Sequence, residues 1–200
     1  MVRALLDGRK TMTRRALNAR DLASFAAAAD LGECGRFLDG ESITARDRIY
    51  HSMICRYGEP GDRLYVREAW HTEESDLVRA RAMHEDCMSP SPIYYRADPS
   101  NDDAGCIWRP SIHMPRWASR ILLEIEATRV ERLQAITGMD AKREGVSIPS
   151  WLPEDGADLD HAKRAFASLW RSINGPDSWE ANPWVWVVEF RRVDSPEAPA

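Results

Sequence analysis

The sequence predicts an α+β fold, and three kinds of segment carry that prediction. Two long stretches alternate with the period of a strand: 119–133, with Ile121, Leu123, Ile125 and Ala127 on one side, and 183–193, with Trp184, Trp186, Val188 and Phe190 on one side. Two others read as helices. Thr137-Gly138-Met139-Asp140 resembles a capping box that opens a short helix closed by Gly145. From 158 to 174, Ala162, Ala165, Phe166, Leu169 and Ile173 recur at helical spacing, with Gly175 after them. Shorter alternating runs at 63–68 and 93–96 add strands.

The remaining elements follow from local signals. Val2 to Asp7 is a short helix that Gly8 stops, and Thr11 to Arg15 can run extended. Arg20 to Asp30 is alanine-rich with a weak apolar stripe, so a surface helix is expected. Residues 32–40 read as a loop, and 43–55 has no clean period, leaving strand or irregular structure. Glu59-Pro60-Gly61-Asp62 is a turn, and it delivers a strand whose Leu64 and Val66 face the core. Residues 73–86 read as a charged helix ended by Pro90 and Pro92, and 98–105 as a polar loop. Trp108 to Trp117 holds two prolines and two tryptophans, which suits neither a helix nor an inner strand. Residues 194–200, with Pro196 and Pro199, read as a flexible tail.

Two hundred residues can bury a real core as one domain with insertions, and 44% hydrophobic with 30% charged residues is an ordinary globular balance. No apolar run reaches the ~18 residues that span a bilayer, and no signal-peptide pattern opens the chain, so a cytoplasmic protein away from the membrane is expected. The four cysteines (Cys34, Cys55, Cys87, Cys106) lie far apart without a Cys-x-x-Cys pair. They read as reduced structural thiols, with no metal and no cofactor expected. A net charge of −5 excludes a broad cationic surface that coats nucleic acid. Arginine is nonetheless clustered at 14–15, 116 with 120, 129 with 132, and 191–192, which suits a small anionic or base-bearing ligand or one short nucleic-acid segment.

The densest cationic stretch is Gly8-Arg9-Lys10-Thr11-Met12-Thr13-Arg14-Arg15, placed between helix and strand, where a scaffold presents chemistry to solvent. Its pattern Gly8-x-Lys10-Thr11-x-Thr13-x-Arg15, after an apolar helical segment, resembles the signature of the ASCH family. Similar stretches recur at 61–70 (Gly-Asp-Arg-Leu-Tyr-Val-Arg-Glu-Ala-Trp), at 108–117 and at 184–190. The resemblance covers most of 1–193 and is nearer to the ASCH-like proteins of phage and prophage genomes. It implies a single PUA-like domain: a mostly antiparallel β-barrel flanked by helices, with long insertions at about 17–58 and 71–107. The runs at 63–68, 93–96, 119–133 and 184–193 would then form one curved sheet. The family pattern has an extended apolar segment before the basic motif; here a helix precedes it.

Some ASCH proteins are amidohydrolases that remove the acyl group of N(4)-acetylcytidine with a lysine, a threonine and a glutamate. Carried over position by position, these fall on Lys10, Thr13 and Glu144, the last within Asp140-Ala141-Lys142-Arg143-Glu144-Gly145. Thr13 becomes a nucleophile only if a base takes its proton, and Lys10 serves if burial or Arg9, Arg14 and Arg15 lower its pKa. In a regular strand Lys10 and Thr13 point to opposite faces, so they converge only if Lys10 belongs to the turn. Glu144, at a helix C-terminus and one turn after Asp140, should have a raised pKa. None of the three is expected in the core. Arg15, Arg67 and Trp70 are candidates for the substrate wall, the arginines to hold polar oxygens and the tryptophan to stack a base. The expected partner is a small nucleoside or nucleobase. The alternative is a non-catalytic PUA-like module that holds RNA, another single strand or a modified base. A ribonuclease ranks last, because the five histidines show no telling spacing, and the oligomeric state is left open.

Overall fold

The structure, a computed structural model, describes residues 1–40, 42–72, 93–101, 107–151 and 157–193. The charged helix expected at 73–86, its proline stop, Cys87, Cys106 and the 194–200 tail lie outside the described residues. The chain divides into two compact units, one built mainly from Arg3–Leu64 with Leu123–Val193, the other from Tyr65–Leu122.

The first unit opens with α1 (Val2–Leu6), then β1 (Met12–Ala16), α2 (Ala19–Asp30) and α3 (Ala45–Met53). Its later elements are β5 (Leu122–Arg132), α4 (Gly138–Arg143), α5 (Ala157–Asn174) and β6 (Trp184–Val193), and β2 (Arg63–Tyr65) begins in this unit. The strands form one antiparallel sheet in the order β1-β6-β5-β2, curled as a half-barrel and flanked by helices. β6 is covered on both faces, which is why Val185, Trp186, Val187 and Val188 are all buried rather than alternating. On one face Met12, Val185 and Val187 pack with Ala162, Phe166 and Trp170 of α5. On the other, Leu17, Val130 and Trp186 pack with Phe25 and Phe37.

Several expectations are corrected. The alanine-rich α2 lies at the surface as expected, but its narrow apolar stripe, Phe25 and Ala28, is firmly anchored. Phe25 is 1% exposed and meets the rings of Phe37, His51 and Trp186, a burial of about 1.5–3 kcal/mol. Residues 45–53, left between strand and irregular structure, form α3. Thr44 and Asp47 make a complete capping box there, and the buried face carries Asp47 and His51 instead of an apolar stripe. On α5 the buried stripe is Ala162, Phe166 and Trp170, whereas Leu169 and Ile173 are exposed. Along β5 the buried positions run Leu123, Ile125, then Thr128 and Val130, so the alternation slips by one residue and Thr128 turns inward. The 93–96 run contributes Tyr94–Tyr95 (β4), which pairs with Trp70–His71 (β3) in a separate two-stranded sheet, while β1 takes a place in the main one.

The second unit is organised by that small ladder, with Arg109 bridging Trp70 on its other edge and Trp70 packed on Met114 and Ala118. Two turns of 3₁₀ helix, Ser111–His113 and Arg116–Ala118, occupy the proline- and tryptophan-rich stretch, which forms neither an α-helix nor an inner strand. Arg120 grips both oxygens of the buried Glu68 at 3.0 Å and reaches Asp98 at 2.6 Å. Among the described residues, no helix is long and apolar enough to cross a membrane.

Candidate functional site

The basic motif is positioned by three devices. α1 ends at Asp7 and Gly8 turns the chain with φ +70°. Lys10 donates its N–H to Ala4 O (2.9 Å) and lies opposite Glu144 in an antiparallel bridge. Thr11 N–H then bonds Arg143 O at 2.8 Å, so the end of α4 lines the edge of the sheet at β1. The Thr137–Asp140 capping box fixes the start of α4, and Glu144 is its C-terminal cap.

Two glycines permit this docking. A Cβ on Gly145, whose φ is +83°, would lie 2.9 Å from the Cβ atoms of Ala4 and Lys10. One on Gly138 would lie 2.5 Å from Leu159 Cβ, so α4 meets α5 closely at its other end.

The result joins Lys10 to Glu144. Lys10 Nζ donates to Glu144 Oε2 at 2.7 Å, to Glu144 O at 3.0 Å and to Met12 O at 2.7 Å. Both residues are buried, at 5% and 7% exposed, which corrects the expectation that neither would be core. Burial pushes the Lys10 ammonium below its usual pKa; Glu144 pulls it up, while Arg15 and Arg14 add to the depression.

Arg14, marked in the sequence only as a neighbour that would depress Lys10, is the centre of the cluster. Its side chain is fully buried, and it reaches Glu131 Oε1 (2.5 Å), Asp140 Oδ2 (3.3 Å) and Glu144 Oε1 (3.5 Å). Arg129 and Arg143 both pair with Glu189, and Arg129 also pairs with Glu131 at 3.1 Å. Lys10, Arg14, Arg129 and Arg143 thus face Glu131, Asp140, Glu144 and Glu189, four cations against four anions drawn from β1 and the residue ahead of it, β5, β6, and α4 with its cap. The i, i+2 spacing of Lys10, Met12 and Arg14 was the available sign that one strand face carried two cations.

Thr13 belongs elsewhere. Strand alternation places Thr13 and Arg15 on the face opposite Met12 and Arg14, and Arg15 Nη1 donates to Thr13 Oγ1 at 2.9 Å. Arg67 and Trp70 belong to the second unit. Arg67 is exposed and donates to Tyr65 Oη at 2.7 Å, and Trp70 is 1% exposed.

A cleft of about 580 Å³ is lined by Gly8, Arg9, Thr11, Lys142, Arg143, the 146–150 stretch and Asp158. Lys10 and Glu144 are not among its lining residues; Arg9 and Thr11 flank Lys10 in sequence, and Lys142, Arg143 and Val146 lie within two residues of Glu144. Among the described residues, no group of three or more His, Cys, Asp or Glu side chains is arranged to hold a metal ion. Comparison of the chain with protein-family models, with characterised proteins and with solved structures gave no match.

Proposed function

We propose that the protein is a cytoplasmic amidohydrolase with an ASCH-type, PUA-like fold that removes the acyl group from an N(4)-acylated cytosine nucleoside or a related small nucleobase compound. One observation carries this reading: a buried lysine, held below its usual pKa, in direct contact with a carboxylate, where residues adjacent to both in sequence line a cleft. Amide hydrolysis needs one proton taken from the nucleophile and one delivered to the leaving amine. A lysine of depressed pKa takes the first, and the Lys10–Glu144 hydrogen bond provides a path for the second. Water adds to the acyl carbonyl, the C–N bond breaks, the acyl group departs as carboxylate and the cytosine N4 keeps the proton. Water is the nucleophile this geometry favours, because the Thr13 hydroxyl lies on the other face of β1.

The test is release of cytidine from N(4)-acetylcytidine by the purified chain. Turnover that disappears in Lys10→Met and Glu144→Gln while circular dichroism shows both variants folded at the assay temperature supports the assignment; no turnover in the unsubstituted protein ends it. A second reading, a non-catalytic nucleobase- or RNA-holding module, is favoured by one feature. An ammonium has three donors, and those of Lys10 are met by Met12 O, Glu144 O and Glu144 Oε2, as a structural latch would have them.

A further inference from the structure

We propose that two copies of this chain pair through α5, laid antiparallel about a two-fold axis, so that Asp160 of each copy meets Arg171 of the other. α5 is 18 residues long, and a groove of about 510 Å³ runs beside it, lined by Asp160, Lys163, Arg164, Ala167, Arg171 and Trp179. Asp160 and Arg171 are about three helical turns apart, so they stand on one line along the helix, about 16 Å from each other. Ala167 lies between them on that line, and its short side chain, 6% exposed, forms the floor of the groove. Trp179 is the fixed wall: its ring meets Phe166 edge to face at 6.3 Å, its carbonyl accepts from Gln134 Nε2 at 2.8 Å, and the Arg171 guanidinium lies 6.0 Å from the ring centre.

The order of charges along the groove selects the occupant. An acid at one end and a base at the other complement themselves when a second copy runs the opposite way. An axis midway between positions 165 and 166 sets Asp160 against the partner's Arg171, Arg164 against the partner's Ala167 and Lys163 against the partner's Ser168. In that register no like charges stand opposite each other among these positions, and the stem of Arg164 lies over the alanine, where the groove has room. Arg164 Nε donates to Asp160 O at 3.3 Å, which keeps its guanidinium at the groove, and Lys163 Nζ turns away to Gln134 O at 3.1 Å. Arg171 holds Glu180 of its own chain through Nη2 and Nε, at 2.5 and 3.4 Å, so the partner's Asp160 approaches from the Nη1 side. The dipoles of antiparallel helices add to the attraction.

Other occupants fit this order less well. A small anion drawn to the arginines meets Asp160 in the same groove, and an acidic helix of another protein is repelled there. A contact confined to one helix face is smaller than the ~1,200 Å² of a standard interface, so the dimer should be weak and should form as concentration rises. The pairing uses neither Lys10 nor Glu144 and does not depend on the hydrolysis proposed above.

The experiment is sedimentation velocity of the full chain over a concentration series. A monomer–dimer equilibrium is expected, weakened by salt because both contacts are at the surface. Asp160→Arg and Arg171→Glu should each weaken the dimer about tenfold or more, since each sets like charges opposite each other twice. Mixed in equal amounts, the two variants should pair with each other, because both contacts of the mixed dimer again join opposite charges. Thermal melting checks each fold; if Arg171→Glu melts early through repulsion from Glu180, Asp160→Arg, at an exposed position, carries the test. A chain that stays monomeric up to about 1 mM, the weak end of specific association, overturns the proposal. So does a dimer that ignores Asp160→Arg, or two folded variants that stay apart when mixed.

Discussion

Lys10 and Glu144, 134 residues apart, meet twice: their backbones face each other in an antiparallel bridge, and their side chains form a 2.7 Å ion pair. The contact fastens the C-terminal end of α4 to the chain just ahead of the edge strand β1. Because both side chains are buried, the link is structural whatever else it does.

Removing one partner should therefore be costly. Lys10→Met leaves the Glu144 carboxylate with Arg14 Nη1 at 3.5 Å as its remaining cation among the described residues, and Glu144→Leu strands the Lys10 ammonium. Each single change should lower unfolding free energy by about 3–5 kcal/mol, and the double change should recover much of that loss. Urea unfolding of the three variants checks this. A double variant no more stable than the worse single would show that packing, not charge, holds α4.

Gly145→Ala tests the same joint from the backbone side. The left-handed φ of +83° costs an alanine about 1–2 kcal/mol, and its Cβ would meet Ala4 and Lys10 at 2.9 Å. Overpacking adds about 1–3 kcal/mol. The expected outcome is a clear drop in melting temperature, larger than for Gly40→Ala, where nothing lies within 4 Å of the added carbon.

How far the sequence reached depends on whether a feature is local. The Thr137–Asp140 box, Gly145 as a stop and the 184–193 strand were legible because neighbours a few residues apart encode them. α3 was not, since its apolar period is absent: its one local signal was the Thr44-x-x-Asp47 cap, the same pattern that opens α4, with no apolar run after it. The slip in β5 between Ile125 and Thr128 is invisible without a partner strand. Lys10 and Glu144 could be paired only through the family resemblance, and nothing local joins Arg14 to Glu131, 117 residues away.

His51 gives a pH-dependent stability. It is fully buried between Phe25 and Phe37, and neither ring nitrogen has a hydrogen-bond partner among the described residues. Burial lowers its pKa to about 4 from 6.5, against the raising pull of Asp47. The unfolded chain takes up the proton near 6.5 and the folded chain does so only near 4, so between those values the unfolded state binds more protons. Stability should fall as pH drops from 6.5 toward 4, by about 3 kcal/mol in all. His51→Phe should flatten that part of the curve in urea titrations at stepped pH. A slope unchanged by the substitution would assign the acid sensitivity to other groups.

The proposed hydrolysis makes its sharpest prediction at Thr13. On the face of β1 opposite Met12 and Arg14, with its hydroxyl accepting from Arg15 at 2.9 Å, Thr13 has no described contact with Lys10. If water attacks the acyl group, Thr13→Ala should keep cytidine release within about threefold, and Lys10→Met should lower it by about 10²-fold or more, the scale of a lost proton-transfer group. The pH–rate profile separates the roles further. Lys10 acts as a base only when neutral, and its pKa lies below 10.5, so the rate should climb with pH toward that depressed value and level off above it. Thr13→Ala should leave the inflection in place. A Thr13→Ala variant as inactive as Lys10→Met, with an acyl-enzyme trapped on the unsubstituted protein, would instead make the hydroxyl the nucleophile and require β1 to rearrange when substrate binds.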